Sequence, residues 1–272
     1  MTTAATITNS GVNPLVHVRK PWGLRDKVQS PGAAFRASQA AEREYARALN
    51  GVARNVRKII AEAEADPTSA AKAEKVRKAL ASYSELLTPW AKTTANVMLK
   101  RADLKSEKAF AQTAKTIGRE LREEMKNSGA VAQAFQARLD ENVRLITSLP
   151  TEAGERVTSI VTEGLANGTR ADVLARSIGE LGDVTESRAL LIARTESSKA
   201  TTALTKARAE TVGSDGYIWR TSGDGAVRPS HAKMNGKFVE WDSPPTLDGM
   251  TGHAGEFPNC RCYAEPVLPQ EV

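Results

Sequence analysis

The chain has 272 residues, enough for two domains or for one long body with an appended module, and carries 38 Lys and Arg against 32 Asp and Glu. Charged residues make up 26% and aromatics 5%, a balance that suits a soluble helical protein, and no run approaches the roughly 18 consecutive apolar residues of a membrane span. Two cysteines, Cys260 and Cys262, are too few for a disulfide framework, which excludes the small disulfide-stapled secreted class and points to a reducing compartment.

Met1 to Gly11 is polar and lacks both the charged start and the apolar core of a secretory signal, so synthesis is expected in the cytoplasm. Residues 1–30 hold Pro14 and Pro21 and no sustained period. They read as an extended N-terminal arm with a basic, aromatic centre at Arg19-Lys20-Pro21-Trp22, or as a disordered tail.

Residues 31–183 read as a helical body. Apolar residues step by three or four along Tyr45, Leu49, Val52, Val56, Ile59 and Ala63, then Val76, Leu80, Tyr83 and Leu87. A third stripe runs through Phe110, Ala114, Ile117, Leu121 and Met125. A fourth, Val131, Phe135, Leu139, Val143 and Ile146, is expected to stop at Leu149-Pro150, where the proline ring clashes with the preceding turn. Gly168 is a helix terminator, and Thr169 with Asp172 resembles a capping box for the next helix; Asp183 with Glu186 repeats the signal. The helix these open, 184–212, ends at Gly213, a left-handed cap.

After Gly213 helical periodicity disappears, and 6 of the 13 aromatics fall in the remaining 59 residues. Tyr217-Ile218-Trp219 and Lys237-Phe238-Val239-Glu240-Trp241 read as short strands, with Asn235-Gly236 a turn signal before the second. The charge shifts too: from Ser214 onward 5 Lys and Arg face 8 Asp and Glu, against 33 and 24 before it. The basic body can lie against polyanions such as DNA through nonspecific phosphate contacts, or simply present solvated helix faces. The fold class is therefore mainly α: an elongated multi-helix body and a small α+β module, with a β-hairpin and a Cys/His group. Residues 184–272 form that module, with the β-rich part at 214–268.

Three constellations carry potential chemistry. His231, His253, Cys260 and Cys262 make a tetrahedral donor set for one structural zinc, and Cys260 and Cys262, two apart in an extended segment, can face one metal. The alternatives are two reduced cysteines packed in a small core, or a strained Cys260–Cys262 disulfide. Asp224, Arg228 and His231 share a loop shaped by Gly223, Gly225 and Pro229, where Asp/Arg hydrogen bonds that fix the loop are one role and catalysis the other. Glu196 sits within the apolar stripe Ala189, Ile192, Ala200, Ala203 and Ala207, either at its wet edge or paired with Arg228 or Arg261 so as to hold the module to the body.

In order, Leu191-Ile192-Ala193-Arg194-Thr195-Glu196, Tyr217-Ile218-Trp219, Asp224, Arg228, His231, Asn235-Gly236, His253-Ala254-Gly255-Glu256 and Asn259-Cys260-Arg261-Cys262 resemble the phage Mu F-like head-morphogenesis family. The similarity is strong from Val184 to Pro266. It is looser from about Ala40, through Trp90-Ala91 and Glu141-Asn142 to Leu149-Pro150. Ala254 departs from it, since a proline commonly precedes the glycine there. The resemblance gives Arg194, Glu196, Trp219, Asp224, Arg228 and Arg261 the standing of structural motif residues. It implies a non-enzymatic minor capsid protein in the virion, inside the head near the portal vertex. Such a protein binds the portal and the major capsid protein or capsid interior, touches packaged DNA nonspecifically, and assists head assembly, DNA packaging or ejection. Some members carry an effector domain after the cysteines, for which the ten residues beyond Cys262 leave no room. The enzymatic alternative is a metal-dependent nuclease or other DNA-processing enzyme, which needs an open metal position and a general base.

Overall fold

The structure, a computed structural model, describes residues 34–62, 69–113 and 128–268. The N-terminal arm with Arg19 to Trp22, Ala63 of the first stripe and Ala114 to Met125 of the third lie outside the described residues.

Helices α1 (Gln39–Glu62), α2 (Ala70–Thr113), α3 (Gly129–Ala166), α4 (Ala171–Gly179) and α5 (Leu181–Thr211) form the body. β1 (Gly216–Arg220), the single-turn α6 (Pro229–Ala232), β2 (Phe238–Glu240), β3 (Thr246–Leu247), β4 (Met250–Thr251) and β5 (Tyr263–Val267) form the module. None of the described helices is long and apolar enough to cross a membrane.

Apolar periodicity is what turns these segments into a bundle. In α1 the predicted stripe Tyr45, Leu49, Val52 and Val56 is buried, and Val76 and Leu80 of α2 share a core with Val56. α2, with 44 residues, extends roughly 66 Å at 1.5 Å per residue. It supplies Val76 and Leu80 to a core with Val157 and Ile178, then Leu87, Ala91, Met98 and Leu99 to a second core with Ile146 and Leu204. Its end, Ala109 and Phe110, enters a third core inside the module.

Three details depart from the sequence expectation. α3 does not stop at Leu149-Pro150 but runs through it. Its apolar stripe continues through Ile146, Leu149, Ala153 and Val157, all buried, so packing holds both halves in line. Thr147 and Ser148 also donate hydroxyl hydrogen bonds to the carbonyls of Val143 and Leu145 at 3.0 Å, in the turn that precedes the proline. The proposed capping boxes do not form. α4 is preceded by Arg170 with no side-chain cap, and α5 opens at Leu181 after Glu180, which places Asp183 in its first turn, where it pairs with Arg57. The C-terminal signals act as expected: Gly168 and Gly213 adopt φ of 62° and 75° just past α3 and α5.

α5 is buried on two sides. Ala189, Ile192, Ala193, Ala200 and Leu204 face the bundle, while Ala209 belongs to the core of the module. Thr185 and Thr201 return their hydroxyls to the carbonyls of Leu181 and Ser197 at 2.7 and 2.9 Å, which lets a polar helix be buried without stranding those groups.

The module's sheet has the order β2-β1-β5, antiparallel throughout, with β1 central. Tyr217 and Trp219 point to one side of β1 and are fully buried. The Asn235-Gly236 turn forms, with Gly236 N–H donating to Trp219 O at 2.8 Å. Two elements were not anticipated. β5 pairs Trp219 with Ala264 and carries Pro266, which an edge strand tolerates. β3 and β4 form a tight hairpin through Asp248 and Gly249, whose φ of 53° and 78° are those of a type I′ turn.

Candidate functional site

The four predicted ligands divide three and one. His231, Cys260 and Cys262 are buried, and their ligand atoms all lie within 4.8 Å of one another. His231 Nδ1 lies 3.4 Å from Cys260 Sγ and 3.7 Å from Cys262 Sγ. His253 stands outside that group, with its Nδ1 3.3 Å from Tyr217 Oη.

His231 is presented by α6, which Pro229 starts by fixing φ at the first helical position. Arg228 lies just before it and donates to Pro258 O at 2.8 Å, tying α6 to the loop that carries the cysteines. Trp219 of β1 and Phe257 meet the imidazole edge-on, with ring centroids 5.6 and 4.7 Å away. Cys262 N–H donates to Cys260 Sγ at 3.4 Å. The Cys262 thiol hydrogen bond favours the Cys260 thiolate most; burial opposes it, and the backbone N–H groups of Cys262 and Gly255 and the nearby His231 help lower Cys260 to about 6. Cys262 moves the opposite way, pushed up by that same hydrogen bond and by burial.

The Asp224 loop is fixed as its residue types suggested. Asp224 Oδ1 accepts from Ala226 N–H at 3.1 Å and from Arg261 Nη2 at 3.0 Å. Arg261 therefore faces outward while the cysteines on either side of it face in, and Asp224 is occupied by fastening rather than aimed at His231.

Glu196 is 2% exposed, but neither Arg228 nor Arg261 is its partner. Its Oε1 lies 3.1 Å from Lys199 Nζ and its Oε2 3.8 Å from Arg138 Nη1. Both cations belong to the body, so Glu196 knits α3 to α5 instead of holding the module. Tyr45 donates to Asn142 Oδ1 at 2.8 Å, and Asn142 Nδ2 donates to Arg138 O at 2.7 Å, completing a buried polar seam; burial, with the Glu196 charge, pushes the Tyr45 hydroxyl up. Arg194 pairs with Glu42 of α1 at 3.3 Å.

The module is held by other residues of α5. Asn259 N–H donates to Thr195 Oγ1 at 3.1 Å, Thr202 Oγ1 to Ala254 O at 2.6 Å, and Lys206 Nζ to Trp241 O at 2.6 Å. Gly255, at φ 90°, lies so close that an added Cβ would stand 2.8 Å from Thr202 Oγ1 and 3.0 Å from Cys262 O. Thr195, Thr202 and Lys206 recur at seven and four residues, a polar stripe on an alanine-rich helix that was readable in the sequence. The departure at Ala254 also acquires a role: its N–H donates to Tyr217 Oη at 3.1 Å, a bond that a proline would lack.

The family described as phage Mu protein F like protein matches residues 155–265. Over this span the chain is similar to the phage Mu protein F-like family. The Mu F-like span begins within α3, ahead of Val184, and takes in α4, α5 and the sheet through β5, so it includes both α5 and the module docked on it. An uncharacterized Haemophilus influenzae protein is 35% identical over 198 residues, covering 72% of this chain and 44% of that protein. An Enterococcus faecalis NAD(+)-arginine ADP-ribosyltransferase, EFV, is 31% identical over 128 residues, covering 43% of this chain and 26% of that protein. The chain thus spans less than half the length of either relative. No solved structure matches it.

Proposed function

We propose that the chain is a minor head protein of a tailed bacteriophage, acting by binding rather than by turnover. It would be made in the host cytoplasm and housed inside the head near the portal vertex. There it contacts the portal and the capsid interior, and packaged DNA nonspecifically, and it assists head assembly, DNA packaging or ejection. The observation that carries this reading is the Mu F-like match over residues 155–265. It is supported by what the motif residues do: Arg194, Glu196, Asp224, Arg228 and Arg261 each bond another part of the same chain.

For the portal contact we assign the outer face of α2. Leu86, Trp90, Val97 and Leu104 stand exposed there at spacings of four and seven residues, edged by the exposed Lys100 and Lys108. Such a stripe fits an apolar helix of the portal flanked by carboxylates. Mixing the chain with the portal protein of the same phage should give a stable complex, and Leu86→Asp with Val97→Asp should abolish it. Failure of the unaltered chain to bind portal or enter heads would overturn the reading.

The similarity to an arginine ADP-ribosyltransferase favours one enzymatic alternative, and a metal-dependent nuclease is another. The shared region is about a quarter of the transferase, 26% of its length. Incubation with NAD(+) and an arginine acceptor, and separately with DNA and divalent ions, tests both. The binding reading predicts no product in either.

A further inference from the structure

Going beyond the head-protein reading and independent of it, we propose that His231 Nδ1, Cys260 Sγ and Cys262 Sγ hold one zinc ion. The ion staples α6 to the cysteine loop, and water or another small ligand takes the fourth position. His253 is not a ligand.

Geometry is the first argument. For a tetrahedral zinc with bonds of about 2.1 Å to nitrogen and 2.3 Å to sulfur, the nitrogen–sulfur edges are about 3.6 Å. The two observed separations are 3.4 and 3.7 Å. Both sulfurs converge on the same nitrogen, which as a hydrogen-bonding atom can serve only one of them fully; an ion between the three gives each a bond.

Charge is the second. Two thiolates and a neutral imidazole around a divalent cation sum to zero, the charge state that a buried site walled by Trp219 and Phe257 accepts at least cost. The buried indole N–H of Trp219 finds no oxygen or nitrogen acceptor in the pocket wall. The Cys262 N–H on Cys260 Sγ favours a thiolate at that sulfur. Binding releases two thiol protons to solvent and moves no electrons. Thiolate and imidazole donors in a tetrahedral array select zinc over the hard oxygen-seeking cations.

Among the described residues no fourth His, Cys, Asp or Glu joins the group. His253 Nδ1 is engaged by Tyr217, and its backbone N–H by Glu256 Oε2 at 2.7 Å.

The test uses the full chain, purified under reducing conditions, with metal content read by elemental analysis and free thiols counted after denaturation. The expectation is about one zinc per chain, falling to about zero in Cys262→Ser and in His231→Ala and unchanged in His253→Gln. Chelation of the unaltered chain should lower its Tm by roughly 10 °C, reversed by zinc alone. Cobalt(II) added to the chelated chain should give the visible bands of a tetrahedral thiolate site. Because Cys262→Ser can fail to fold, the chelation and cobalt readings on the unaltered chain stand as independent checks. An unaltered chain with no metal and no cobalt spectrum overturns the proposal, as does one that has lost both free thiols to a disulfide. Loss of zinc in His253→Gln with helicity retained overturns the three-ligand assignment.

Discussion

Burial makes the neutral imidazole the form of His253 that the fold accepts, and its pKa is depressed, with Glu256 opposing and Lys206 reinforcing the shift. The unfolded chain takes up a proton near its ordinary value of about 6.5, while the folded chain resists until a lower pH. Stability from this group is therefore full above about pH 6.5 and is lost as pH falls towards the depressed value. Thermal melts from pH 7.5 to 5 should show a shallower decline in His253→Gln than in the unaltered chain; equal slopes would contradict the assignment. Gly255→Ala combines a left-handed backbone with a Cβ 2.8 Å from Thr202 Oγ1. We expect a loss of about 2 kcal/mol or more by denaturant titration. Thr202→Val strands Ala254 O and should cost about 1–3 kcal/mol in the same titration. At this scale the sequence located the groups but not their partners. Three of the four metal-type side chains meet, and Asp224 finds an arginine, as residue type alone suggested. That Glu196 meets Arg138 was not readable, because a pairing across separate helices depends on how they pack, whereas Lys199 lies three residues on along the same helix.

Elements were most legible where one face is apolar and the other wet. The stripes of α1 and the first half of α2 are that simple case, as are the glycine-ended stops of α3 and α5. Pro150 misled because helix breaking is a local penalty, and the stripe from Ile146 to Val157 outweighs it through burial. β5 is hard to read in sequence because it carries Pro266, which only an edge strand tolerates. The β3–β4 hairpin is signalled by Asp248-Gly249, but strands of two residues each leave no alternation to read. α5 gives the sharpest test of packing. Ala193 and Ala200 are fully buried in the seam with the bundle, so Ala200→Leu should cost about 1–3 kcal/mol by overpacking, whereas Leu190→Ala, on the exposed side at 44%, should cost far less. Equal effects in chemical denaturation would mean that α5 is not the shared wall described.

At the scale of the molecule, the helical body and the module are joined through one helix, with the end of α2 and Phe35 inserted into the module's core. A motif residue in the module can therefore matter to the body without touching it, since loosening the cysteine loop frees Asn259 and Ala254 from α5. The proposed function rests on binding to a partner, with the motif residues serving as internal fasteners. Light scattering on a size-exclusion column, with the chain mixed with the portal protein of the same phage, tests it most directly. A complex that forms with the unaltered chain and is lost in Leu86→Asp with Val97→Asp, at unchanged helicity and metal content, is the predicted result. Separate elution of the unaltered chain and the portal would contradict it.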